Sequence, residues 1–153
     1  MQNWFECKVR YERNGEKGAL TRVNETYLIE ALSYTEAETK IIDVIKPYVS
    51  GEFMITDIKR GKYNEIFASD LESADKWFKI KMLFITLDEA SAVEKKTSTF
   101  VLVQAADLAG AITQLNESMK GSVIDYEIST VAQSPILEVF RWNDNPGKDE
   151  QHQ

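Results

Sequence analysis

The chain has 153 residues, 43% of them hydrophobic and 28% charged, which suits one domain or two small halves sharing a core. That balance excludes wholesale disorder, a collagen-like repeat and a disulfide scaffold, and no apolar run approaches the about 18 residues of a membrane span. With 25 acidic against 18 basic residues the net charge is −7, which argues against nonspecific binding to nucleic acid or to an acidic membrane.

The opening segment reads as a strand. Phe5, Cys7, Val9 and Tyr11 alternate with Glu6, Lys8 and Arg10, the period of a half-buried sheet. Asn14-Gly15-Glu16-Lys17-Gly18 reads as a hairpin turn. A second strand follows from Thr21 to Leu32. A helix then starts at Ser33 with Glu36, or at Thr35 with Glu38, both of which fit a capping box. Ile41, Val44, Ile45 and Tyr48 form its expected apolar stripe, and Pro47 marks its end. A third strand is expected over Glu52–Lys59, and Ala68–Lys76 reads as an acidic join.

The same order then returns. Trp77-Phe78-Lys79-Ile80-Lys81 repeats Trp4-Phe5-Glu6-Cys7-Lys8, and Glu138-Val139-Phe140 repeats Glu65-Ile66-Phe67. Leu102-Val103-Gln104-Ala105 stands where the first half has Leu28-Ile29-Glu30-Ala31. Asp88–Ser91 takes the part of the hairpin turn, and a strand is expected over Glu94–Ala105. Asp107 is the expected helix cap, with Leu108, Ala111, Ile112, Leu115 and Met119 as the stripe and Gly121 as the C-terminal stop. A last strand is expected over Val123–Val131.

The expected fold class is α+β: two strand-strand-helix-strand repeats related by a pseudo-twofold axis, each an antiparallel sheet carrying one helix. The boundaries are 1–69 for the first repeat, 70–76 for a short acidic connection, 77–140 for the second repeat and 141–153 for a mobile tail. A half of this size is marginal alone, so the two are expected to pack as one compact unit.

The inventory of chemistry is short. His152, the single histidine, sits in the last three residues, so the folded body is expected to hold no positioned imidazole for a Ser-His-Asp or Cys-His arrangement. One Cys and one His do not make a zinc site. The glycines are scattered and form no phosphate-binding loop. The expectation is a protein that is not an enzyme, with no catalytic residue, cofactor or metal assigned. Glu65 and Glu138 recur at matching positions, as a carboxylate pair across the axis or as strand-end residues. Cys7 has no internal disulfide partner, and Met1–Glu6 has neither a basic stretch nor an apolar signal core. Both features predict a cytoplasmic protein.

Basic and aromatic residues interleave on the strands: Trp4, Lys8 and Arg10 in the first half, Trp77, Lys79 and Lys81 in the second, with Lys59 and Arg60 as a third cluster. Single-strand binders use such faces. Lysines and arginines on the solvent side of strands are equally an ordinary solvated face, and large aromatics commonly belong to the core. The leading expectation is a non-enzymatic cytoplasmic binding or assembly protein, with a homo-oligomer or a protein as partner and no membrane. The alternatives are a single-stranded nucleic-acid-binding protein using those eight residues, disfavoured by net charge, and a small-ligand (nucleotide) binder in the cleft between repeats.

Trp4–Tyr11, Glu30–Glu38, Pro47–Phe53, Ile58-Lys59-Arg60, Trp77-Phe78-Lys79, Phe84–Glu89 and Leu102–Ala105 together resemble an uncharacterised domain-of-unknown-function family of Bacteroidetes chromosomes, mobile elements and phages. The resemblance spans about residues 1–140 and implies no activity, cofactor or site residue. It does imply a role in phage or mobile-element biology.

Overall fold

A computed structural model describes residues 3–143. It is a mixed α+β structure, mostly strands in two separate four-stranded sheets, with two helices. The chain divides into a first unit, Met1–Gly61 with Pro135–Gln153, and a second unit, Lys62–Ser134.

In the first unit β1 (Asn3–Asn14) and β2 (Leu20–Ala31) form an antiparallel hairpin in the register Cys7↔Tyr27. The turn between them places Lys17 and Gly18 at φ 66° and 77°, and Gly15 N–H donates to the Ala19 carbonyl at 2.7 Å. Helix α1 (Tyr34–Ile45) begins at Ser33, whose hydroxyl accepts from Glu36 N–H at 3.1 Å; of the two candidate caps, this is the one used. A turn of 3₁₀ helix over Lys46–Tyr48 carries Pro47, and the chain returns as β3 (Phe53–Gly61) beside β1.

The second unit repeats this order. Strands β5 (Lys76–Asp88) and β6 (Val93–Ala105) form the hairpin, α2 (Leu108–Ser118) follows, and β7 (Asp125–Ser134) returns beside β5. Asp107 Oδ1 accepts from Gly110 N–H at 2.7 Å. A Cβ at residue 110 would stand 3.0 Å from that same oxygen, so a glycine suits the position. Gly121, at φ +86°, takes the left-handed conformation that ends the helical segment. The two return strands also share an irregularity. The β1–β3 register skips Thr56 and the β5–β7 register skips Ser129, a β-bulge at the same place in each unit.

The sequence pattern suggested antiparallel sheets, whereas each sheet is mixed. Each gains a fourth strand that runs parallel: β4 (Glu65–Phe67) against β6, and β8 (Ile136–Phe140) against β2. These are the two matching repeat ends, and each joins the sheet of the other repeat. The repeat boundaries 1–69 and 77–140 follow sequence similarity, whereas the compact units follow hydrogen bonding. The strand orders are β3-β1-β2-β8 and β4-β6-β5-β7, the same order read from opposite ends. Even the register agrees, with Leu28↔Val139 in one sheet and Leu102↔Ile66 in the other.

A pair of hydrogen bonds fastens each of these strands. Trp142 N–H donates to Glu30 Oε1 at 2.8 Å, and Ser69 N–H donates to Gln104 Oε1 at 2.9 Å. Lys40 on α1 donates to the Arg141 carbonyl, and Gln114 on α2 donates to the Ala68 carbonyl. Of the expected tail 141–153, residues 144–153 lie outside the described residues, while Arg141 and Trp142 form part of this fastening.

Each unit has its own core. In the first, Phe5, Cys7, Val9 and Ile29 meet Ala37, Ile41, Val44 and Ile45 of α1, with Phe140 of β8 packed alongside. In the second, Phe78, Ile80, Met82 and Val103 meet Ala111 and Leu115 of α2, with Phe67 of β4 alongside. The helix stripes are narrower than the sequence suggested, because Tyr48, Leu108 and Ile112 are exposed. Tyr48 lies past the last helical residue, and Leu108 and Ile112 lie on one flank of the buried Ala111–Leu115 line.

Ile41→Ala and Leu115→Ala are each expected to cost about 2–5 kcal/mol in chemical denaturation, since both side chains are fully buried. Gln104→Ala is expected to cost about 0.5–1.5 kcal/mol, the net worth of one fastening hydrogen bond.

Candidate functional site

The register of β1 and β3 sorts the candidate basic residues onto faces. Trp4, Lys8 and Arg10 alternate with the core residues of β1, and so lie on the face away from α1. Lys59, opposite Glu6, joins them. Arg60 stands opposite Phe5 and therefore lies on the helix side. In the second unit Trp77, Lys79 and Lys81 likewise share the face away from α2. Lys8, Lys59 and Lys79 are exposed, whereas Trp4, Arg10 and Lys81 are half-buried.

The first of these faces is electrostatically mixed. Lys59 Nζ lies 3.5 Å from Glu6 Oε2, and Asp57 stands opposite Lys8. Arg10 Nη2 donates to Met54 Sδ at 3.3 Å, a weak acceptor. Acidic and basic side chains therefore alternate here, and the strand periodicity that revealed the basic residues was blind to their neighbours across the sheet. The face in the second unit differs. Lys79 Nζ sits 4.5 Å from the centre of the Phe100 ring and 5.7 Å from that of Tyr63, a cation held by two aromatic faces. Trp77, at 5% exposure, offers no ring surface for stacking on a base.

Cys7 is fully buried, and its thiol donates weakly to the Phe5 carbonyl. Burial first, then the nearby carboxylates of Asp57 and Glu6, push the thiol up from its ordinary 9.0 to about 12. The thiolate that a nucleophile requires is thus strongly disfavoured. Burial, followed by the Glu25 carboxylate, also raises the Tyr27 hydroxyl. The repeated glutamates enter different sheets: Glu65 stands opposite Val101 and Glu138 opposite Tyr27.

Two cavities open in the first unit. One, of about 440 Å³, lies between the first turn of α1 and the bulge of β3, lined by Tyr34, Thr35, Glu38 and Ile55–Ile58. The other, of about 570 Å³, lies by the β1–β2 hairpin and the start of β3. Arg10 and Arg22 line it together with Glu12 and Glu52, so its charges balance and it selects neither ion sign. Among the described residues, no group of three or more His, Cys, Asp or Glu side chains stands close enough to hold a metal ion. His152 lies outside the described residues. Among the described residues no helix is long and apolar enough to cross a membrane.

Residues 3–142 match the family model of a domain of unknown function, DUF4494. The chain belongs to this family. No curated protein matches it. The match ends at Trp142, so the DUF4494 region takes in β8 and its fastening residues as well as both helices.

Sequence reasoning missed the fastening residues and the aromatic pair around Lys79. The first had a signal. Glu30 aligns with Gln104, and each retains a side-chain oxygen that accepts from the residue two places beyond a repeated Glu-x-Phe strand. The second had none, because Tyr63, Lys79 and Phe100 come from separate parts of the chain.

In the native protein Cys7 is expected to react slowly with a thiol reagent and rapidly once the chain is unfolded, as timed labelling would show. The raised thiol also fixes the sign of a pH effect. Its contribution to stability is fully present below 9.0 and is lost as pH rises toward about 12, so alkaline denaturation is expected to be shallower in Cys7→Ala.

Proposed function

We propose that this DUF4494 protein is a non-enzymatic cytoplasmic binding or assembly protein that works through sheet surfaces. The observation that carries this reading is the pair of long outer strands. Among the described residues, strands β3 and β7 each lie at the end of a sheet's strand order, with a neighbouring strand on one side. Such an edge is a template for another chain. The single buried cysteine suits a reducing compartment. The matching strand order, bulges and fastening bonds support descent from one duplicated strand-strand-helix-strand repeat. A role in phage or mobile-element biology rests on the motif resemblance alone.

A second reading has one specific observation in its favour. Lys79, held over Phe100 and Tyr63 with Lys81 on the same face, combines cation and aromatic as single-strand binders do. In that case Lys79→Glu with Lys81→Glu should weaken binding to a single-stranded homopolymer and flatten its salt slope by about 1 per lysine. Binding left unchanged by the double substitution rules this face out.

Native mass spectrometry of the full chain, purified gently, tests the leading reading. The expected result is a discrete multiple of 17.5 kDa or a stoichiometric complex with another macromolecule. A bare monomer at every concentration, turning over a small molecule, would overturn it.

A further inference from the structure

We propose that Asn14 is a modification site: its side chain deamidates spontaneously through the neighbouring Gly15, at a rate set by opening of the β1–β2 turn.

The chain has one asparagine followed directly by glycine, and it is Asn14. Such a pair reacts by attack of the glycine main-chain nitrogen on the asparagine Cγ. A C–N bond forms, and the side-chain nitrogen leaves as ammonia with the proton that Gly15 gives up. Water then opens the cyclic imide at one or other carbonyl, which yields an aspartyl or an isoaspartyl residue. A glycine carries no side chain to hinder the attack. The turn itself demands that glycine. A Cβ at residue 15 would stand 2.9 Å from Thr21 Oγ1 and 3.2 Å from the Ala19 carbonyl oxygen. Its φ of −84° would suit any residue, so space and not conformation excludes a side chain. Asn14 is exposed, as the last residue of β1. Packing of the hairpin thus fixes the very residue that makes Asn14 reactive. The matching turn between β5 and β6 holds no asparagine.

The closed turn restrains the reaction. Asn14 pairs with Leu20, which holds its main chain extended, and Gly15 N–H donates to the Ala19 carbonyl at 2.7 Å. Ring closure needs the Asn14 main chain to rotate out of the strand and the Gly15 nitrogen to release that bond. The same turn carries a cause of its own opening. Lys17, at φ 66°, stands in the left-handed region that a residue with a Cβ enters at a cost. The product in turn alters the hairpin. Either isomer adds a carboxylate at the end of β1, and the isoaspartyl form lengthens the main chain by a carbon, which breaks the Asn14↔Leu20 register. Leu20 and Arg22 line the cavity of about 570 Å³ beside this turn, so the modification reshapes its wall.

Incubation of the full chain at mildly alkaline pH, followed by digestion and peptide mapping by mass spectrometry, tests this, with melting curves confirming that each variant folds. Asn14 is expected to convert in the folded chain ahead of Asn3, Asn24, Asn64 and Asn116, and faster still when the chain is unfolded in urea. Lys17→Gly removes the left-handed strain and should slow the folded-state reaction about fivefold. Lys17→Val, whose branched Cβ fits that region worse, should speed it. Neither variant should change the rate in urea, which separates the turn from the chemistry of the dipeptide. A folded chain that keeps its Asn14 amide overturns the modification site. A folded-state rate equal to that in urea, or unchanged in both Lys17 variants, overturns control by the turn.

Discussion

A short strand from the end of each repeat must pair with the hairpin of the other repeat, and the remaining architecture depends on that exchange. Without β8, the hydrogen-bonding side of β2 away from β1 would lack its neighbour, and Phe140 would be missing from the first core. Without β4, the same holds for β6 and Phe67. Backbone groups at a buried sheet edge need partners, because an unmade hydrogen bond there costs the full desolvation of the group. The strand pairing meets that need, and the side-chain bonds from Glu30, Lys40, Gln104 and Gln114 hold each strand's end in register.

The exchange also determines which surfaces remain for binding. Each sheet has one face against its helix, and one edge closed by an exchanged strand. What remains is the opposite edge, β3 or β7, and the part of the other face that carries the exposed Lys8, Lys59 and Lys79, since Leu28, Trp77 and Leu102 on that face are buried. On that face the units differ. Lysines and arginines meet carboxylates around β1, whereas Lys79 meets two aromatic rings beside β5. The edges differ as well, since Asp57, Lys59 and Arg60 of β3 stand where β7 has the uncharged Thr130, Ala132 and Gln133.

Much of the fold could be read from local pattern. The alternation Phe5-Cys7-Val9, the Ser33 and Asp107 caps, and Gly121 past the second helix are consequences of backbone geometry within a few residues, so a linear reading finds them. Tyr48 was misplaced because the helical pattern continues through a 3₁₀ turn that has already left the core. The candidate basic residues were visible as types, but their partners were not. Glu6 meets Lys59 and Met54 meets Arg10 only because β1 and β3 are neighbours with a bulge between those two contacts.

By itself the sequence determined the element order, the helix ends, the twofold repetition of motifs and the inert burial of Cys7, because each depends on periodicity or on a residue's own chemistry. Only the tertiary structure decided where Glu65–Phe67 and Ile136–Phe140 pair, and hence that the sheets are mixed and the repeats exchange strands. A strand of three to five residues carries too little pattern to specify a distant partner. Its place is chosen by which sheet edge stands open and which core has room for a phenylalanine, and those are properties of the folded chain.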